Sequence, residues 1–341
     1  MGRVLVLAVV VSASCKPQRE APPAELAPAT VPAAQTPTAQ VAPPVRATSC
    51  QPGARTCVRD DVVQCRADGS LGDKLESCRG ACRDGACADT CALQDVELIY
   101  VIDRNGVLFS FDPKKLPEDP FRRVATLECD TSSTVNSMAV DRVGIAWLGY
   151  HNGKIHRASI IDGHCSASIG APRGAPKTFG MGFVTDGPKT NTERLFLAGG
   201  PDDMYPRSLA KLDLLSPPPT WSPVAPITIE GDHPELTGTG DGRVYAYFPS
   251  PGRGFVQELD RRTAKPVGTR WNLEGDAGHV SAYAFAQWGG VFYVFTTADG
   301  KSSVRAIHMK SGKQEVVRAG LPNVIVGAGV STCAPLLERA P

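Results

Sequence analysis

The 341-residue chain has no excess of charge of either sign: 36 Lys and Arg stand against 35 Asp and Glu, a formal net charge of +1. That balance argues against a nucleic-acid binder, which carries a basic excess or patch. It also argues against an acidic disordered scaffold. No apolar run reaches the roughly 20 residues that a membrane-spanning helix needs. There is no H-E-x-x-H, no G-x-S-x-G and no phosphate-loop pattern. Zinc protease, serine hydrolase and nucleotide chemistry therefore have no local signature. No convincing amphipathic helix occurs either.

What is present is Gly, Pro and Cys. The 34 Gly and 29 Pro speak for many turns and short strands. Eleven Cys are too many for an ordinary cytosolic protein of this size and point to an oxidising compartment. The first residues agree. Arg3 precedes the apolar stretch 4–11 (VLVLAVVV), followed by Ser12, Ala13, Ser14 and Cys15. This is the pattern of a secretory signal peptide over 1–14. Ser14 and Ala13 before Cys15 resemble the lipobox of bacterial lipoproteins, although Ser12 stands where that family prefers Leu. The resemblance implies a lipid on Cys15, membrane attachment through it, and an outer-membrane protein facing periplasm or exterior. Without the lipid, cleavage after Ser14 would give a secreted chain.

Residues 15–49 read as a tether: eight Pro, nine Ala and no Gly lie within 16–49. Such a segment buries too little apolar surface to fold and prefers extended polyproline geometry. Residues 50–91 follow as a Cys-rich module with Cys50, Cys57, Cys65, Cys78, Cys82, Cys87 and Cys91. No C-x-x-C and no His occurs there. Cys78-x3-Cys82 and Cys87-x3-Cys91 mimic zinc spacing only loosely, so disulfides are the better account of a unit too small for its own core.

From 92 to 341 the chain is strand-like. Five pairs of small residues at i and i+2 sit in apolar strands: Ser137/Ala139, Gly180/Gly182, Thr237/Thr239, Ala284/Ala286 and Gly327/Gly329. Residues i and i+2 share one face of a strand, and the spacing matches a four-stranded propeller blade of about 40–50 residues. The last copy has no strands after it, and the strands near 97–128 have no inner strand before them. A closed ring resolves both gaps. The expectation is an all-β protein whose main domain is a β-propeller. Five blades result, or six if a repeat hides in 187–234. Cysteine arithmetic fits closure. Cys91 and Cys333 bracket the repeats and are paired, Cys129 then pairs with Cys165, and Cys50 to Cys87 form three bonds of open connectivity.

The segments 136–141 (NSMAVD), 179–183 (FGMGF), 235–243 (ELTGTGDGR), 284–290 (AFAQWGG) and 326–335 (VGAGVSTCAP) resemble a family of propeller-like, Cys-rich lipoproteins of myxobacteria and related bacteria. The resemblance covers roughly 97–335. It implies export and a β-propeller-like fold, and it carries no catalytic residue over.

Inner-strand ends of a ring converge on one axial mouth. Asn136, Asp141, Glu235, Asp241 and Tyr283 are the polar residues placed near it, as candidates for binding a ligand. That ligand would be a glycan, a peptide or a protein surface. The alternative is a propeller-type glycosidase, lactonase or sugar dehydrogenase. Glycoside hydrolysis needs two spaced carboxyls, and only Glu235 with Asp141 or Asp241 offers them. Asp141, Asp186 and Asp241 also have a plainer use, capping the amides of their own turns. No resident cofactor is expected. Asp103 and Asn105 resemble the start of a calcium loop, but Lys114 occupies its twelfth position. His151 and His156 flank the turn at Asn152 and Gly153, where two His could face each other around a metal.

Overall fold

Runs of β-branched and aromatic residues broken by Gly, Asp and Asn become 25 strands among the described residues of the computed structural model. It describes residues 50–337 apart from 59–60, 78–81, 84, 88–90, 189, 191, 201–206, 215–217, 230, 232, 251–253 and 275–279. The expected signal peptide, the tether with Cys15, and Cys78 lie outside the described residues. Among those described there is no α-helix, only a 3-10 turn at Pro113–Lys115.

The Cys-rich module forms a three-stranded sheet of β1 (Arg55–Val58), β2 (Asp61–Cys65) and β3 (Leu71–Ser77), with a two-stranded ribbon of β4 (Cys82–Arg83) and β5 (Ala86–Cys87). Cys50 bonds Cys65, Cys57 bonds Cys82, and Cys87 is also disulfide-bonded.

The rest is five four-stranded antiparallel sheets. Three strands of the first come early: β6 (Ile99–Asp103), β7 (Val107–Phe111) and β8 (Phe121–Thr126). The second holds β9 (Val135–Val140), β10 (Ile145–Tyr150), β11 (Ile155–Ser159) and β12 (Cys165–Gly170). The third holds β13 (Gly180–Thr185), β14 (Glu193–Gly199), β15 (Arg207–Asp213) and β16 (Thr220–Ile227). The fourth holds β17 (Glu235–Gly238), β18 (Val244–Phe248), β19 (Phe255–Leu259) and β20 (Pro266–Asn272). The fifth holds β21 (Ala282–Trp288), β22 (Val291–Ala298), β23 (Lys301–His308) and β24 (Gln314–Leu321). The last strand, β25 (Ile325–Val330), pairs antiparallel with β6, so the first sheet reads β25-β6-β7-β8. Cys91 bonds Cys333 just beyond that pairing. Cys129, after β8, bonds Cys165 at the start of β12.

Burial falls from the first strand of each sheet to the last. β13 and β17 are buried along their whole length, whereas β20 and β24 are largely exposed. The first strands also touch one another in sequence: β9 packs on β13, β13 on β17, β17 on β21, β21 on β25, and β25 on β9. Small side chains permit this. A Cβ on Gly180 would collide with the Pro234 carbonyl, and one on Gly329 would lie 2.9 Å from the Ala139 main chain. The 57-residue spacing after Gly180 holds β14–β16 and longer connections, not a further sheet among the described residues.

Five apolar clusters fill the spaces between neighbouring sheets. Alternation along each strand decides which space a side chain enters. Met138 and Val140 of β9 face the first sheet, whereas Ala139 faces the third. Val244, Ala246 and Phe248 face the third sheet, and Tyr245 and Tyr247 face the fifth. The fifth space joins Phe295 and Tyr293 to Phe111, which packs edge-on against both rings.

Candidate binding site

In an up-and-down sheet the start of the first strand and the end of the second lie at the same edge. All five first strands therefore bring their starts to one side. Asn136, Gly180, Glu235, Tyr283 and Val326, one from each, line a cavity of about 570 Å³ there. Second-strand ends add Arg104 after β6, His151 after β10, and Pro249 with Ser250 after β18.

Glu235 is the buried carboxyl of this mouth. Its Oε1 accepts from Ser137 Oγ at 2.5 Å and from Met181 N at 3.1 Å, while Met181 N also reaches Ser137 Oγ at 3.1 Å. Three first strands, β9, β13 and β17, are thus tied through one oxygen. Burial pushes the Glu235 pKa up to about 8 against these favourable hydrogen bonds. That value favours the protonated carboxyl at neutral pH, which could then donate a hydrogen bond. Asn136 Nδ2 donates to the Phe179 carbonyl at 3.2 Å, and Tyr283 Oη donates to the His233 carbonyl at 2.8 Å.

Asp141 and Asp241 are not at this mouth. They follow β9 and β17, at the opposite ends of the strands that Asn136 and Glu235 begin. Asn136 and Asp141 are five residues apart, about 17 Å along an extended strand. The five candidates therefore divide three to two, and the carboxyl pairs Glu235–Asp141 and Glu235–Asp241 do not share a site. Asp141 caps its own turn, accepting from Val143 N at 3.1 Å and Ile145 N at 2.8 Å, and holds Trp147 Nε1 at 2.9 Å. Asp241 takes Thr239 Oγ1 at 2.5 Å and Arg243 Nη2 at 2.7 Å. Burial opposes its ionisation, but the Arg243 and Thr239 hydrogen bonds win and hold its pKa below the usual value.

That opposite end carries a second, partly buried acid that the sequence did not flag. Glu193 accepts from Arg142 N at 2.8 Å and from Thr332 Oγ1 at 2.7 Å. Burial, then the charge of Asp141, raise its pKa to about 8.

The other titratable motifs resolve separately. Asp103 Oδ1 accepts from Asn105 N and Val107 N, each at 2.9 Å, and Oδ2 from Asn323 Nδ2 at 2.7 Å. Both oxygens thus serve a turn and the β25 approach. His151 is exposed at the mouth, whereas His156 is buried on β11 beside Cys129 and Cys165, so the two His do not face one another. Arg104, His151 and His233 were missed as lining residues. The ends of alternate strands would have pointed to Arg104 and His151, because hairpin direction fixes the edge on which they emerge.

No protein-family model matches the chain, and no curated protein matches it in sequence. Several solved structures resemble it loosely. One, from a nidogen/laminin complex, is 14% identical over 68% of this chain and 97% of that one, with a TM-score of 0.42. TolB from Acinetobacter baumannii is 11% identical over 68% and 66%, with a TM-score of 0.41. A protein of unknown function from Bacteroides caccae is 12% identical over 65% and 71%, with a TM-score of 0.36.

Proposed function

We propose that the five sheets are the blades of a closed five-bladed β-propeller, and that this propeller is the binding domain of an exported, lipid-anchored envelope protein. Closure is supported by the pairing of β25 with β6 and by the packing of β25 on both β9 and β21. Export is supported by the disulfides and by the first 15 residues.

One observation carries the binding role: every first strand contributes to a single cavity at one mouth. Cavities of this size suit a small ligand or the tip of a larger one. The polar groups there favour hydrogen bonding over catalysis. Arg104, His151 and protonated Glu235 offer donors to acceptor-rich ligands such as a glycan or a peptide main chain. Glu235 is the one carboxyl among the described lining residues, so the paired acids of a glycosidase gain no support.

A glycan array and a peptide library, probed with the full chain, test this reading. A hit should weaken about tenfold or more in Asn136→Ala and Glu235→Ala, since truncation leaves buried polar groups unpaired. Equal binding by these variants and by the parent would overturn the site. The anchor has its own test: Cys15→Ser should move the protein from the membrane fraction to the soluble one. An unchanged distribution would overturn lipidation.

A further inference from the structure

Away from the mouth, three side chains form a cluster that the binding role does not use. Cys129 and Cys165 close a disulfide between the outer edges of the first and second sheets. His156, on β11, turns its ring toward that bond. One ring nitrogen and the two sulfurs lie within 4.8 Å of one another.

The imidazole is unusual in its surroundings. His156 is 1% exposed, and its ring nitrogens have no close hydrogen bond beyond an interaction with the Ser166 main chain. A buried polar group so poorly paired is costly, so such groups call for an explanation. Tyr150 packs edge-on against the ring, with centroids 4.9 Å apart, and holds it facing the sulfurs. Both Cys are partly exposed, which leaves a way in from solvent.

We propose that Cys129, Cys165 and His156 form a redox-gated binding site for a divalent cation of the zinc class. An external dithiol passes two electrons and two protons to the Cys129–Cys165 bond. It becomes a disulfide itself, and two thiols result. On cation binding the thiols release two protons to water, and two thiolates and one neutral imidazole hold the ion. Zinc favours this donor set, with Zn–S near 2.3 Å and Zn–N near 2.0–2.1 Å. The fourth position is left to water or to Asp130, the neighbour of Cys129. The same two sheets are then joined by a covalent bond in the oxidised state and by a metal in the reduced one.

The test uses the full chain, treated with a dithiol until alkylation and peptide mass show Cys129 and Cys165 released. After anaerobic removal of the reductant, zinc and cobalt are titrated. One cation per chain should bind, shield both thiols from alkylation, and give cobalt a thiolate charge-transfer band. His156→Phe, which keeps ring packing, should weaken binding at least about tenfold. Zinc should also raise the melting temperature of the reduced parent but not of this variant. Cys129→Ser/Cys165→Ser reports binding elsewhere, at opened bridges of the Cys-rich module. Equal uptake by this double variant and the parent would overturn the proposal. So would unchanged affinity in His156→Phe, or a bond that opens only when the chain unfolds.

Discussion

Residues 50–91 and residues 92–337 are both sheets stapled by disulfides, yet they persist for different reasons. The small module has three buried apolar residues among those described, Val62, Val63 and Cys65. Its strands are held by Cys50–Cys65, Cys57–Cys82 and the bond at Cys87. The large domain buries five clusters, each shared by two sheets. Burying one large aromatic or aliphatic side chain contributes about 1.5–3 kcal/mol, so each cluster outweighs the whole module interior. Covalent closure is the structure of the first region and an addition to the second.

The sharpest way to break that contrast is full reduction. The module should lose its strands entirely, while most slow-exchanging amides of the large domain persist, as hydrogen-exchange mass spectrometry would read. Equal loss in both regions would erase the distinction. Next in size is the long bridge. Cys91→Ser/Cys333→Ser opens a loop of 242 residues, for which chain entropy gives up to about 5 kcal/mol. A denaturant midpoint that does not move would show that sheet pairing alone holds the ends.

Close packing should be less costly to disturb. Gly180→Ala forces a methyl against the Pro234 carbonyl and should destabilise the large domain by about 1–3 kcal/mol, while leaving module exchange rates unchanged. The last effect concerns protons. Glu235 and Glu193 have folded pKa values near 8, raised from 4.5. Between those values the folded state holds protons that the unfolded chain has released, so stability falls as pH rises. Melting temperatures should therefore drop from about pH 5 to pH 8. Glu235→Gln and Glu193→Gln should each flatten the slope. A profile that rises with pH in the parent would contradict the burial argument.

The repeat was legible because crowding at the first strands demands small residues at i and i+2, and Ser137, Gly180, Thr237, Ala284 and Gly327 mark it. The Cys91–Cys333 and Cys129–Cys165 pairs followed from counting, and the structure holds the same bonds. Ligand geometry was less legible. Asp141 and Asp241 sit within a few residues of Asn136 and Glu235 in sequence. A strand, however, separates its two ends by its full length, which letter proximity hides. Glu193 was silent for another reason: its partners, Arg142 and Thr332, come from sheets other than its own. His156 was noted only as a candidate partner of His151, and its neighbours Cys129 and Cys165 come from other segments of the chain.

The pairing of β25 with β6 has a consequence for biosynthesis. The first sheet waits for a strand made more than two hundred residues later. Until β25 has been made, β6 offers a bare edge to any extended segment, its own or a neighbour's. Pairing with β25 covers that edge, so this sheet gains its fourth strand only after the other four sheets have been synthesised.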